Sequence, residues 1–254
     1  INTGLPIYVS RAVDLGCHEG YPGHHTFNAL LEKDLVEGKG WIEFTLYPLF
    51  SPQSLIAEGS GNYGIELAFP DEERVVFEKR ELFPLAGLDP AEAERYYRLL
   101  DLLDELTYAG NEAARDYLNG KITREDAVAW LIHYTLASPE RARQRVDFFD
   151  TYRSYVINYN LGEDLVRQYV ECSAGNAGER WKRFERLLSK PMLPSDLRPQ
   201  EPALEPAIAG DRCVPCQQHV FIVVPDRKCQ ERQHGSACRS PAMAGSDRLR
   251  IGAN

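Results

Sequence analysis

The sequence predicts a mainly α fold with at most a small edge sheet. N-cap residues followed by proline recur through residues 1–197, apolar residues repeat at helical spacing between them, and strand-like alternation is confined to two short stretches. Ile1 to Val9 reads as an edge strand cut by Pro6, and Trp41 to Tyr47 alternates enough to read as a second. Helices are expected at about 11 to 19, 24 to 37, 52 to 68 and 71 to 82. Others follow at about 124 to 136, at 139 to 172 with a break near Asn160 to Gly162, and at 178 to 189. Ser51-Pro52, Asp89-Pro90 and Ser138-Pro139 mark helix starts, because proline at the first helical position loses no intrahelical bond. Pro90 to Leu118 reads as one long helix with Leu99, Leu102, Leu103 and Leu106 on one face, stopped by Asn119-Gly120. Thr123 with Asp126 then resembles a capping box for the next helix. No internal repeat is evident, which disfavours a solenoid.

Composition narrows the function classes. The 254 residues are 43% hydrophobic and 26% charged, enough to bury a core and unlike a disordered, collagen-like or disulfide-scaffold chain. No apolar run approaches the roughly 18 residues that a membrane span needs. The net charge of -9, with carboxylates spread along helices and no basic stripe, argues against a nucleic-acid partner. The chain opens at Ile1 without an initiator Met or a signal-like segment, so residues 1–197 are expected to be a C-terminal portion of a longer protein, with the compartment open between cytoplasmic and exported.

A boundary is expected near Arg198. Residues 1–197 carry only Cys17 and Cys172, whereas 198–254 carry Cys213, Cys216, Cys229 and Cys238 among scattered Pro, Arg and Gln. The tail has 8 Lys+Arg and 6 Asp+Glu, a balance of +2 that leaves -11 on the helical part. Its Cys-x-x-Cys pair lacks a second tight pair, so a zinc ribbon is disfavoured and a disordered or aberrant extension is expected.

Chemistry concentrates in Cys17-His18-Glu19-Gly20-Tyr21-Pro22-Gly23-His24-His25, which holds three of the six histidines beside a carboxylate. Imidazole and carboxylate are the usual ligands of catalytic zinc, with a free Glu available as general base. The spacing differs from His-Glu-x-x-His, since the position four after His18 is Pro22, which breaks or kinks a helix. On an unbroken helix His24 would lie about 120° around from His18, and His25 roughly 10 Å along the axis. A kink at Tyr21-Pro22-Gly23 is therefore required to bring either one to His18; His24 is favoured, with His25 as substitute. A second element, Ser51 to Glu66, places three glycines in a predicted helix, which is costly unless they permit a close approach. There Glu58, Asn62 and Glu66 recur every four residues as a polar stripe that, once buried, needs a cation or donors.

The run from His18 to His25, followed by Glu58-Gly59 with Tyr63 and Glu66, resembles the bacterial family called domain of unknown function 885, grouped with gluzincin-like metallopeptidases. The resemblance continues through Ser154 to Gly162, ends near Leu193 to Leu197, and departs from the family where Ser60 stands in place of an expected Trp. It implies a gluzincin-like helical domain in which His18, one of His24 or His25, and Glu58 hold a divalent metal, zinc by expectation. Glu19 would activate zinc-held water for attack on a peptide or small amide, and Tyr155 or Tyr159 would donate to the oxyanion. Glu66 would either orient a ligand histidine or form a salt bridge. His133 is expected to be a packed helix residue.

Two function classes follow: a zinc-dependent hydrolase of peptide or related amide bonds, and a non-catalytic helical binding or scaffold protein whose metal site is vestigial or structural. They differ in whether three protein donors or four, His25 included, close around the metal. A serine or cysteine hydrolase is disfavoured, because Cys17 and His18 point about 100° apart on a helix and no Gly-x-Ser-x-Gly elbow occurs.

Overall fold

The computed structural model describes residues 7–198 apart from Asp71 and Ser173. Among them the chain is mainly helical with no strand. Residues 1–6 of the first predicted strand and 199–254 of the tail lie outside the described residues.

Helix α1 (Arg11–Leu15) runs on into a π turn, Gly16–Gly20, and α2 (His24–Leu31) into another, Glu32–Glu37. After a 3-10 turn at Ile42–Thr45 comes α3 (Gln53–Ala68), then α4 (Glu73–Phe77) with a third π turn, Glu78–Leu82, and the short α5 (Phe83–Leu85). A 3-10 turn, Pro90–Glu92, leads to α6 (Ala93–Asp104), followed by α7 (Thr107–Leu118), α8 (Arg124–Tyr134) and α9 (Pro139–Tyr152). A 3-10 turn at Arg153–Val156 joins α9 to α10 (Ile157–Glu171), and α11 (Ala177–Ser189) precedes a last 3-10 turn, Pro194–Leu197.

Most of the expected starts and stops are present. Asp89 accepts from the Ala91 amide at 2.9 Å and Ser138 from the Arg141 amide at 3.3 Å, each ahead of a proline. Thr123 and Asp126 form the reciprocal capping box at 3.1 Å in both directions, and Gly120 closes α7 with φ +69°. Ser51 does not cap α3: its hydroxyl is buried without a partner, and Ser54 turns back to the Leu49 carbonyl instead.

Four expectations are corrected. Trp41 to Tyr47 is a 3-10 turn rather than a strand; the Thr45 hydroxyl caps the Ile42 carbonyl at 2.8 Å and Trp41 stacks with Phe44. The long helix over 90 to 118 is broken at Glu105 and Leu106. Helix α6 buries Ala93 and Tyr97 while α7 buries Ala109, Gly110, Ala113 and Ala114; at 100° per residue the centres of these sets would sit roughly 150° apart on one straight rod. The break turns α7 so that its small residues face α8 and α9, and it leaves Leu99 and Leu102 exposed. The break in 139 to 172 falls at Arg153–Val156, so that Asn160 to Gly162 lie inside α10. His133 is exposed, its ring edge-on to Tyr134, rather than packed.

Two cores position the site. Phe27, Leu31, Ile56, Tyr63, Val166, Phe184 and Leu187 form one between α2, α3, α10 and α11. Ala113, Leu131, Val146, Phe149 and Val156 form another among α7, α8, α9 and the turn after α9. Helices α3 and α10 cross in near backbone contact: a Cβ on Gly59 would fall 2.3 Å from the Gly162 backbone, and one on Gly162 would fall 2.6 Å from the Leu55 carbonyl. The glycines of α3 thus serve close approach, as the cost of placing them in a helix demands.

Gly59→Ala is expected to force the two helices apart and to destabilise the fold by about 3 kcal/mol, measured by urea unfolding. An unchanged midpoint would show that the crossing tolerates a methyl group.

Candidate metal centre

His18, His24 and Glu58 come from three elements. His18 lies in the π turn after α1, His24 is the first residue of α2, and Glu58 sits in the first half of α3. The break between the first two is a bend over residues 21–23 containing a cis Tyr21-Pro22 bond. Gly23 closes it: its amide donates to the Cys17 carbonyl at 2.9 Å, and a Cβ there would fall 1.9 Å from the His18 carbonyl oxygen. The kink expected from Pro22 and Gly23 thus folds the start of α2 back against the end of the π turn. The His18 and His24 rings meet edge to face with centroids 4.6 Å apart.

Glu58 joins them from the other side. Its Oε2 lies 3.3 Å from Nε2 of His18 and 3.8 Å from Nε2 of His24, and one ligand atom from each of the three residues falls within 4.8 Å of the others. Its Oε1 accepts from the Tyr155 hydroxyl at 2.7 Å. One turn further along α3, the Asn62 amide nitrogen donates to the Tyr159 carbonyl at 3.1 Å, so its Oδ1 faces Nδ1 of His18 at 2.9 Å. A carbonyl oxygen can only accept, so Nδ1 carries a proton; a metal would replace the second proton, on Nε2, and meet the lone pair there. A histidine held by its second nitrogen in this way is preset as a metal ligand. Gly61 makes room for the ring, since a Cβ there would fall 2.8 Å from it.

The electrostatics match the geometry. Burial works against the charge on Glu58, but the His18 and His24 contacts and the bond from Tyr155 outweigh it and hold the carboxyl down at about 2. Burial also works against a charge on His18, yet the Glu58 contact prevails and raises it. For Tyr155, burial and then the bond to Glu58 push the phenol up, so it stays protonated and donating. Burial and the Glu58 charge likewise push Tyr159 up to about 12.

The remaining expected residues fall as follows. His25 is exposed with its ring edge on Tyr21, centroids 5.0 Å apart, and lies outside the group. Glu19 is exposed at the rim, close enough for its charge to be felt by His18 and by Tyr159. Tyr155 is committed to Glu58, whereas the Tyr159 hydroxyl has no hydrogen-bond partner among the described residues; its ring lies edge-on to Tyr155 at 5.9 Å. Glu66 is not brought to the group: it is exposed and paired with Arg167, the salt-bridge alternative. Cys17 is buried, and burial raises its thiol, which suits a packed residue and not a nucleophile. Asn62 is the residue beside the group whose part the sequence did not assign; its place between Glu58 and Glu66 on one helical stripe was the available signal.

Comparison with protein-family models, curated proteins and solved structures finds no match to this chain.

In chelator-treated protein the Glu58 interactions contribute stability above the ordinary carboxylate value of 4.5, lost as pH falls toward about 2. Melts of wild type and Glu58→Gln are therefore expected to differ most near the upper value and to converge at the acid end. A gap that stays constant through that window would show that Glu58 is not held ionised by these partners.

Proposed function

We propose that this protein is a zinc-dependent hydrolase of peptide or related amide bonds, related to the domain of unknown function 885 family and to gluzincin-like metallopeptidases. The observation that carries the reading is the convergence of three donors, His18, His24 and Glu58, from separate elements, with His18 preset by Asn62 and His25 outside the group. Three protein donors are the usual complement of a catalytic zinc, whereas a structural zinc takes four.

The donor set fits zinc: two imidazole nitrogens and one carboxylate, each further held by a hydrogen bond or by packing. When bound, zinc supplies Lewis acidity toward water and toward an amide carbonyl. The chain's own residues do the rest. Glu19, beside His18 and exposed at the rim, takes the proton of the attacking water and passes it to the departing amine. Tyr155 is a positioning residue, since its hydroxyl fixes the rotamer of Glu58. Tyr159, protonated at neutral pH and without another hydrogen-bond partner among the described residues, donates to the oxygen that gains charge as the amide is attacked. The alternative is a non-catalytic binding or scaffold protein with a vestigial or structural metal site; its structural form needs a fourth protein donor, and His25 lies outside the group.

Elemental analysis of chelator-free protein is expected to find about one zinc per chain; His18→Ala loses it and Glu19→Gln keeps it. Glu19→Gln should lower amide hydrolysis by about 10²- to 10⁴-fold, and Tyr159→Phe by about 10²-fold, with metal retained in both. Full activity in Glu19→Gln would sink the general-base role, and folded protein without stoichiometric metal would sink the hydrolase reading.

A further inference from the structure

Beside the metal centre lies a cavity of about 510 Å³ whose wall includes Asn62 and Tyr159, both also part of that centre. Arg141 and Arg145, one turn apart on α9, line it together with Phe148. Arg145 is half-buried and lies over the rings of Phe148 and Phe149, at 4.9 and 5.7 Å from guanidinium carbon to centroid. Neither arginine's guanidinium has a carboxylate partner among the described residues. The contrast with Arg167 is direct: that side chain pairs with both Glu66 and Glu163. A guanidinium withdrawn from water without an anion carries a desolvation cost that two ring faces offset only in part, and burial lowers its proton affinity.

The ring contacts lead from Arg145 to the metal centre. Phe148 touches Tyr159 at 6.3 Å between centroids, Tyr159 touches Tyr155 at 5.9 Å, and Tyr155 bonds Glu58. The cavity also holds Asp104 and Glu163, so a polyanion such as a phosphate dianion would meet repulsion as well as attraction. A single carboxylate matches the fork of one guanidinium and can form two parallel hydrogen bonds with it.

We propose that Arg145 receives the C-terminal carboxylate of a short peptide lying in this cavity, so that the bond presented beside Tyr159 is one near the peptide's C-terminal end. The site takes free-acid peptides in preference to their amides, with Phe148 against the terminal side chain. Its consequence for cleavage rests on the hydrolase reading, but the binding does not.

The test uses the full chain in its Glu19→Gln form, zinc-loaded, with N-acetyl-Ala-Ala-Phe and its carboxamide as probes, followed by calorimetry. The free acid is expected to bind at least about tenfold more tightly than the amide. Arg145→Gln should remove that preference while leaving zinc content unchanged, and Arg145→Lys, which keeps the charge and loses the fork, should retain a smaller one. Equal affinity for acid and amide, a preference that survives Arg145→Gln in folded protein, or no binding of either up to about 10 mM each overturns the proposal. A free-acid preference in a protein whose wild type hydrolyses nothing would uphold the subsite and sink the hydrolase. Hydrolysis with no such preference would do the reverse.

Discussion

Helices α3 and α10 meet with nothing but backbone between them, and the group formed by His18, His24 and Glu58 is set out from that crossing. At Gly59 and Gly162 a single methyl group would intrude to 2.3 and 2.6 Å, so the two axes come closer than any pair of side chains would allow. That proximity places Glu58 opposite Tyr155 and Asn62 opposite the Tyr159 carbonyl, one from each side of the crossing. It also explains why α3 spends three glycines in sixteen residues: Gly59 admits α10, Gly61 admits the His18 ring and Gly64 admits Pro22. Helix propensity is given up over one stretch so that the α10 backbone can approach one face of α3 while the imidazole and the proline approach the other.

A chain of hydrogen bonds then converts this packing into electrostatics. The Tyr159 carbonyl orients Asn62 and Asn62 keeps a proton on Nδ1 of His18; without a metal the His18 imidazolium and His24 lie against Glu58 while Tyr155 donates to it, and together they keep it ionised despite its burial. Each step depends on the one before, because an amide turned the other way would present a donor to Nδ1 and reverse the tautomer. The buried carboxylate is tolerated because a phenol donates to it and two imidazoles lie against it, and a buried charge needs such partners.

The polar stripe on α3 illustrates how one periodic pattern is divided by tertiary surroundings. Glu58, Asn62 and Glu66 are equivalent by spacing, and each does need partners. Yet Glu58 lies against two histidines and a tyrosine, Asn62 bridges His18 and α10, and Glu66 reaches Arg167 at the exposed end of the same helix. The long pattern over 90 to 118 was divided in the same way: apolar spacing ran through it, but the residues that bury before and after Leu106 lie on opposite faces, so the chain turns where no Pro or Gly announces it.

By itself the sequence determined the helical class, the positions of most caps, the need for a bend at Pro22-Gly23, and the residues from which the centre is assembled. These are local properties: N-cap hydroxyls and carboxylates, fixed proline φ and the absence of a Cβ act within a few residues and are readable in order along the chain. Only the tertiary structure decided that His24 and not His25 joins His18, that Tyr155 is spent on Glu58 while Tyr159 is not, and that Glu66 stands apart. It also decided that Trp41 to Tyr47 turns instead of extending, since a strand needs a neighbour to accept its backbone hydrogen bonds, and among the described residues there is none. The physical reason is common to all of these: which partner a side chain or a backbone group finds depends on residues tens of positions away, and the direction in which two helices bring it forward is set by their crossing and not by its spacing along either one.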